Sequence, residues 1–373
     1  MIPLNERLSR LKLSGIRRFT NLAKQTPGCI LLTIGEPDFD TPQPIKAAAA
    51  AALADNKTHY APNQGIPELR KAIADYETGR GFSLTEAQVL VTAGATGALF
   101  TALLGILDPG DEVIIPTPAF SLYETVVTVA GGKVVPLDVT GSQFQITQQA
   151  LSGVITPRTK AIVLNSPNNP TGVVLSQASL AAVKAAVLGK GIYVICDNVY
   201  QQLSSQPVPD LCLDPQMAEQ VLLCQSFSKP YAMTGWRVGY LAGPEDVIAR
   251  LLLLHAAQLA AVPTFLQWAC ITALETDISP MADAFARRRA FVARRLREMG
   301  LSFPEPGGAF YLFVDISRTG MDSDTFCTRL IQEAKVAAVP GSCFGVEGYI
   351  RLSCACSEED LAEAMNRLEA FLK

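Results

Sequence analysis

One lysine in this 373-residue chain stands among side chains able to put it to chemical use. Lys229 follows Ser226 and Ser228 and precedes Arg237, so two hydroxyls and a guanidinium, all suited to holding an anion, share its stretch of chain. Four other short runs have the same character. Thr92-Ala93-Gly94-Ala95-Thr96-Gly97 reads as a helix start whose amides are free to hold a phosphate. Pro116-Thr117-Pro118-Ala119-Phe120 ends on an aromatic ring, and the run 165–172 carries the amide of Asn169 before Pro170-Thr171-Gly172. Asp197-Asn198-Val199-Tyr200 sets a carboxylate three residues before a phenol. Each run alone has an ordinary reading as a cap, a turn or a solvated side chain. Their coincidence does not, and together they describe a pocket for a charged aromatic phosphate.

The elements that must position these runs are strands. Apolar runs rich in Val and Ile predict strands at Gln88–Val91, Glu112–Ile115, Lys133–Leu137, Ala161–Leu164, Ile192–Cys196, Val221–Gln225 and Arg237–Leu241. Helices fit 95–107, 120–130, 176–189 and 244–275, and the Ala-rich stretch 46–54 reads as a further helix. Strands alternating with helices imply an α/β fold, a mostly parallel seven-stranded sheet sandwiched by helices. The last strand follows its predecessor after a loop alone and is expected antiparallel. All five runs fall just after a strand, where open α/β sheets place their ligands. Beyond residue 280 the pattern changes to a basic helix with a solvated arginine face at 287–297, a strand at 309–315, a helix 323–334, a strand Gly348–Ser353 and a helix 357–372: a smaller α+β unit.

Composition narrows the partners. With 31 basic and 35 acidic residues the net charge is −4, which argues against nucleic acid. The nine cysteines lie mostly in apolar runs, as in a reducing compartment, and their only close spacing, Cys354-Ala355-Cys356, fits no zinc pattern; with two histidines in the chain, no structural metal is expected. The uncharged stretches 87–107 and 251–274 are long enough to span a bilayer, but turn residues cut the first and His255, Gln258, Pro263 and Gln267 punctuate the second, so both read as buried core. The amino terminus has scattered charges and no apolar stretch of a signal peptide. No membrane association and a cytoplasmic location are expected.

The run 226–229 with Gly235-Trp236-Arg237-Val238-Gly239, and Asn169-Pro170-Thr171-Gly172, resemble the signature of the class I/II aminotransferases, the fold type I pyridoxal-phosphate enzymes. IGEPDFDTP at 34–42, HYAPNQGIPELR at 59–70, DPGDEV at 108–113, PGGAFYLF at 306–313 and YIRLS at 349–353 extend the resemblance over essentially the whole chain. It implies pyridoxal 5'-phosphate as cofactor and Lys229 as its Schiff-base lysine and proton shuttle. It also implies Asp197 against the pyridine nitrogen, Tyr200 and Asn169 at the phenolic oxygen, and Phe120 stacked on the ring where many members carry Trp or Tyr. The phosphate is expected on the amides of Ala95 and Thr96 with Ser226, Ser228 and Arg237, joined by Tyr60 from the other subunit of a homodimer. Arg351 is the expected clamp for the substrate α-carboxylate, with Asn169 beside it and Gly35 closing over it.

The resemblance further implies a large cofactor-binding domain at 45–280 and a small domain built from 1–44 and 281–373. The set Asn169, Asp197, Lys229 and Arg351 favours an aminotransferase over a lyase or decarboxylase on the same fold. A transcription regulator with an aminotransferase-like domain needs an amino-terminal DNA-binding segment, for which the thirty or so residues before IGEP leave no room. Dicarboxylate-specific members place an arginine within the stretch corresponding to 251–286, which here holds neither Lys nor Arg; a neutral, apolar or aromatic amino acid is therefore the expected donor.

Overall fold

The computed structural model describes residues 5–9, 11, 15–204 and 206–373; the rest of the amino-terminal segment lies outside the described residues. The strands are β1 (Ile30–Leu31), β2 (Val89–Thr92), β3 (Glu112–Thr117), β4 (Lys133–Asp138), β5 (Thr159–Asn165), β6 (Tyr193–Asp197), β7 (Val221–Ser226), β8 (Gly239–Ala242), β9 (Tyr311–Asp315), β10 (Val336–Ala337), β11 (Val339–Pro340) and β12 (Tyr349–Ser353). Seven of them form one sheet in the order β2-β8-β7-β6-β5-β3-β4. β3 to β7 pair in parallel, and β8 runs antiparallel between β7 and β2, as expected of a strand joined to its predecessor by a loop alone.

Both faces of this sheet are covered, which is why its strands read as continuous apolar runs. Val194 and Cys196 of β6 enter one core cluster, and Ile195 between them enters the other, beneath the helices Gly94–Ile106 and Leu122–Ala130. The period-two alternation then puts Asp197 on the face of Ile195, toward Tyr123 of the second helix.

A third core is shared by the two ends of the chain. Phe19, Ala23 and Leu32 pack with Phe285, Val292, Leu312, Ile350 and Leu368, and also with Val199 and Tyr200. β1 pairs in parallel with β10, while β11, β12 and β9 make a small antiparallel sheet. Among the described residues no helix is long and apolar enough to cross a membrane.

Several expected elements differ. The helix expected over 244–275 is two helices, Glu245–Leu259 and Thr264–Glu275: Pro263 lacks an N–H and drives the preceding residue out of the helical region. The helix expected over 323–334 is α-helical only to Arg329 and continues as a π-turn over Leu330–Ala334. Arg237 precedes its strand, in a left-handed conformation at φ 55°. The arginine face of the long helix Ser279–Glu298 is not wholly solvated either. Arg288 is 8% and Arg289 5% exposed, the first paired with Asp38 and the second donating to the carbonyl of Ala309. On the sheet face opposite Asp197, Cys196, Cys212 and Asp210 come together, a proximity across sixteen residues that no spacing rule marks; the Asp210 carboxylate already accepts from the Cys212 amide, Asn198 and Gln201.

Candidate active site

Three neighbouring parallel strands, β5, β6 and β7, end on Asn165, Asp197 and Ser226, and all three residues line a cavity of about 250 Å³. Twelve of the thirteen residues singled out from the sequence line it too. The exception is Tyr60, which is 93% exposed on a loop anchored by the Thr264 hydroxyl on the His59 carbonyl.

One end of the cavity is built for an anion. The helix Gly94–Ile106 begins here, so the amides of Ala95 and Thr96 lie in its first turn, where helices leave N–H groups unpaired. Gly94 has φ +67°, and a Cβ on it would lie 2.9 Å from Nη2 of Arg237. A Cβ on Gly239 would lie 2.5 Å from the Gln225 carbonyl and 2.9 Å from the Ala95 nitrogen. Glycine is therefore required at both places for β8, the helix start and Arg237 to close on one point. Ser226 and Ser228 share a hydroxyl hydrogen bond of 2.9 Å beside them. Arg237 donates to the Thr234 carbonyl at 2.9 Å, and no acidic side chain pairs with it among the described residues.

At the sheet end, Asp197 is 4% exposed. Its Oδ2 accepts from the Tyr123 hydroxyl at 2.6 Å, whereas Oδ1 is buried with no partner. Burial raises this carboxyl to about 6, against the lowering effect of the Tyr123 hydrogen bond. Asn165 fixes the strand end by donating to the Asp197 carbonyl at 2.8 Å and accepting from the Asn169 amide at 2.7 Å. Phe120 lies over this region with its ring 6.0 Å from that of Tyr123, edge to face.

Lys229 donates its Nζ to the Gly35 carbonyl. Burial brings its pKa down to about 8; the charge of Glu36 opposes this, and Arg237 and Arg351 add to it. On the far side Arg351 is 2% exposed. It donates to Asn169 Oδ1 at 2.9 Å and to the Thr33 carbonyl at 2.7 Å, and its guanidinium carbon sits 4.4 Å from the Tyr311 ring centre. Its Nε has no partner, and no carboxylate faces it among the described residues. Such a guanidinium is held ready for a planar anion. The Tyr200 and Tyr311 hydroxyls share a hydrogen bond of 3.1 Å.

An unpartnered carboxylate oxygen, an anion cradle and a half-buried lysine of lowered pKa thus lie in one cavity. They match the ring nitrogen, phosphate and aldehyde of pyridoxal phosphate, so the residues fit that group. Sequence reasoning missed Tyr123, Tyr311 and Thr33. Tyr123 lies three residues beyond Phe120, where a helical spacing marks it. Tyr311 sits in PGGAFYLF, two residues before Phe313 on an alternating strand, whereas Thr33 acts through its carbonyl and leaves no signal in side-chain type.

Residues 27–368 match the family model for aminotransferase class I and II. The chain is 39% identical to the probable N-acetyl-LL-diaminopimelate aminotransferase of Bacillus subtilis, with 99% of this chain and 95% of that protein covered. It is 38% identical to aromatic-amino-acid aminotransferase 2 of Thermococcus litoralis, covering 100% of this chain and 99% of that one. Among solved structures it is similar to the aspartate aminotransferase from Thermus thermophilus with maleate, at a TM-score of 0.94 and 36% identity, over 99% of this chain and 100% of that one.

Proposed function

Because the chain belongs to the class I and II aminotransferases, enzymes that depend on pyridoxal 5'-phosphate, we propose that it moves the α-amino group of a neutral amino acid, apolar or aromatic, to a 2-oxo acid by a ping-pong mechanism. The observation that carries the donor class is the cation count of the cavity. Among the described residues, Lys229, Arg237 and Arg351 are the only Lys or Arg side chains lining it. In this reading Arg237 serves the phosphate, Lys229 the chemistry and Arg351 the α-carboxylate. Among the described residues none is left for a side-chain carboxylate, and the stretch 251–286 supplies no Lys or Arg.

Bound pyridoxal phosphate supplies an electron sink for the pair left at the substrate Cα when its proton departs. Asp197 holds a proton at the pyridine nitrogen through the unpartnered Oδ1, with Tyr123 fixing the other oxygen. Tyr200 and Asn169 serve the phenolic oxygen, and Phe120 covers the ring. Ala95, Thr96, Ser226, Ser228 and Arg237 hold the phosphate, joined by Tyr60 from the second chain of a homodimer. Arg351 takes the α-carboxylate with both nitrogens of its fork and orients Cα toward Lys229, while Gly35 closes above. Lys229 removes the Cα proton as a neutral amine, a state that its lowered pKa of about 8 makes accessible near neutrality. The substrate lies between a large domain at 45–280 and a small one formed by 1–44 and 281–373.

The test is to mix the cofactor-loaded protein with single amino acids, with no 2-oxo acid present, and follow the absorbance of the bound cofactor. Leucine, methionine, phenylalanine or tyrosine should change it fastest. A response confined to aspartate and glutamate would refute the donor class.

A further inference from the structure

Residues 35–41 form a strap that leads away from the cavity at Gly35 and is fastened on both sides. On the side of the Lys229 loop there are three attachments. Lys229 donates to the Gly35 carbonyl, the Thr234 hydroxyl donates to the Glu36 carboxylate, and the Thr41 hydroxyl donates to the Ala232 carbonyl at 2.7 Å. On the other side the helix Ser279–Glu298 provides Arg288, whose Nη1 and Nη2 meet the two Asp38 oxygens at 2.7 and 3.0 Å. This is the bidentate geometry that gives an arginine–carboxylate pair its directionality. The arginine side chain is 9% exposed and the aspartate 29%, so the arginine end of the pair is buried while the carboxylate still meets solvent.

An aromatic pair backs the contact. Phe39, next to Asp38, meets Phe285 edge to face at 5.4 Å, and the Arg288 guanidinium lies 5.1 Å from the centre of Phe39 and 5.6 Å from that of Phe285. Beneath the strap there is no slack at Gly35, where a Cβ would come within 2.4 Å of the Tyr311 hydroxyl. The close fit at Gly35 leaves the strap little room to shift, and Arg288 fixes its outer edge against the long helix. It acts from a helix face read from the sequence as solvated.

We propose that Asp38 and Arg288 are positioning residues: their ion pair holds the strap so that Gly35 and Glu36 stay over Lys229 and close on the α-carboxylate end of the substrate. The proposal rests on the aminotransferase reading above. Neither side chain lines the cavity, so both act through the strap.

Two measurements test it on the variants Asp38→Asn, Arg288→Gln and Asp38→Asn/Arg288→Gln. The first needs neither cofactor nor turnover: amide hydrogen exchange across 35–41 in the cofactor-free protein should accelerate about tenfold in every variant while exchange in the sheet strands stays unchanged. In the loaded enzyme KM should then rise about tenfold by the same factor for unrelated amino acids, with kcat altered less than about threefold and cofactor affinity kept. The double variant should be no worse than the more damaged single one, because the two groups act through each other. Unchanged strap exchange overturns the proposal, and so does a KM rise matched by loss of cofactor affinity and melting temperature, which marks a general structural role. Asp38 is partly exposed, so Asp38→Asn keeps the test open if an Arg288 variant fails to fold. A wild-type enzyme inert toward every amino acid would refute the aminotransferase reading and leave strap exchange to decide this one.

Discussion

Replacing Asp197 by asparagine should make the cofactor-free protein relatively more stable as pH rises, although it cripples the enzyme. The carboxyl is buried at the end of β6, with Tyr123 on one oxygen and nothing on the other. Burial raises it from 3.8 to about 6, which corresponds to about 3 kcal/mol against the charged form. The sign follows from proton counting. Between these two values the folded state holds a proton that the unfolded chain has released, so rising pH favours unfolding, and the whole penalty is present above about 6. Asparagine has no charge to bury and escapes this dependence. The amide brings its own fixed cost in the same site, so the informative quantity is the change with pH. Urea denaturation of cofactor-free wild type and Asp197→Asn at about pH 4 and pH 8 should show the variant gaining about 2.5 kcal/mol relative to wild type, since at pH 4 the unfolded carboxyl is already more than half ionised. A difference constant across this range would refute the claim that the site holds an uncompensated carboxylate. With cofactor bound the order reverses, because the ring nitrogen supplies the missing partner, and kcat of the variant should fall severely.

Four further outcomes are expected. Capture of pyridoxal phosphate by the cofactor-free protein needs the neutral amine of Lys229, so its rate should rise with pH through a midpoint near 8 rather than that of an ordinary lysine at 10.5, as stopped-flow absorbance will show; Lys229→Ala should fold, retain cofactor through the phosphate cradle and have no turnover. Arg351→Lys keeps the charge and loses the planar fork, so steady-state kinetics should give a higher KM for every amino acid whatever its side chain, by about tenfold or more. Mixed refolding of Lys229→Ala with Tyr60→Ala chains should restore activity to about a quarter of sites, since a two-fold dimer concentrates both lesions in one site and leaves the other intact; no recovery despite demonstrated subunit exchange would place Tyr60 in its own chain's site.

Much of the site was legible because its parts are tied to strand ends. Asp197 and Ser226 turned out to be the last residues of β6 and β7, so finding the apolar runs located them to within a residue. The antiparallel β8 could be inferred from a connection too short for a crossover. What stayed hidden depends on contacts between distant segments. Tyr123 matters because strand alternation aims Asp197 at its helix, and Arg288 and Arg289 are buried because the strap and the loop before β9 happen to cover their helix face. Charge patterning cannot distinguish a covered arginine from a solvated one. The break at Pro263 was visible in the sequence but was outweighed there by the apolar run around it.

The most direct test of transamination at this site is a single turnover of the loaded enzyme with a preferred neutral donor, in the absence of any 2-oxo acid. One equivalent of the corresponding 2-oxo acid should appear per Lys229 site, the nitrogen should remain on the bound cofactor, and addition of a second 2-oxo acid should release it as a new amino acid. Carbon dioxide or free ammonia in place of that 2-oxo acid would contradict the assignment.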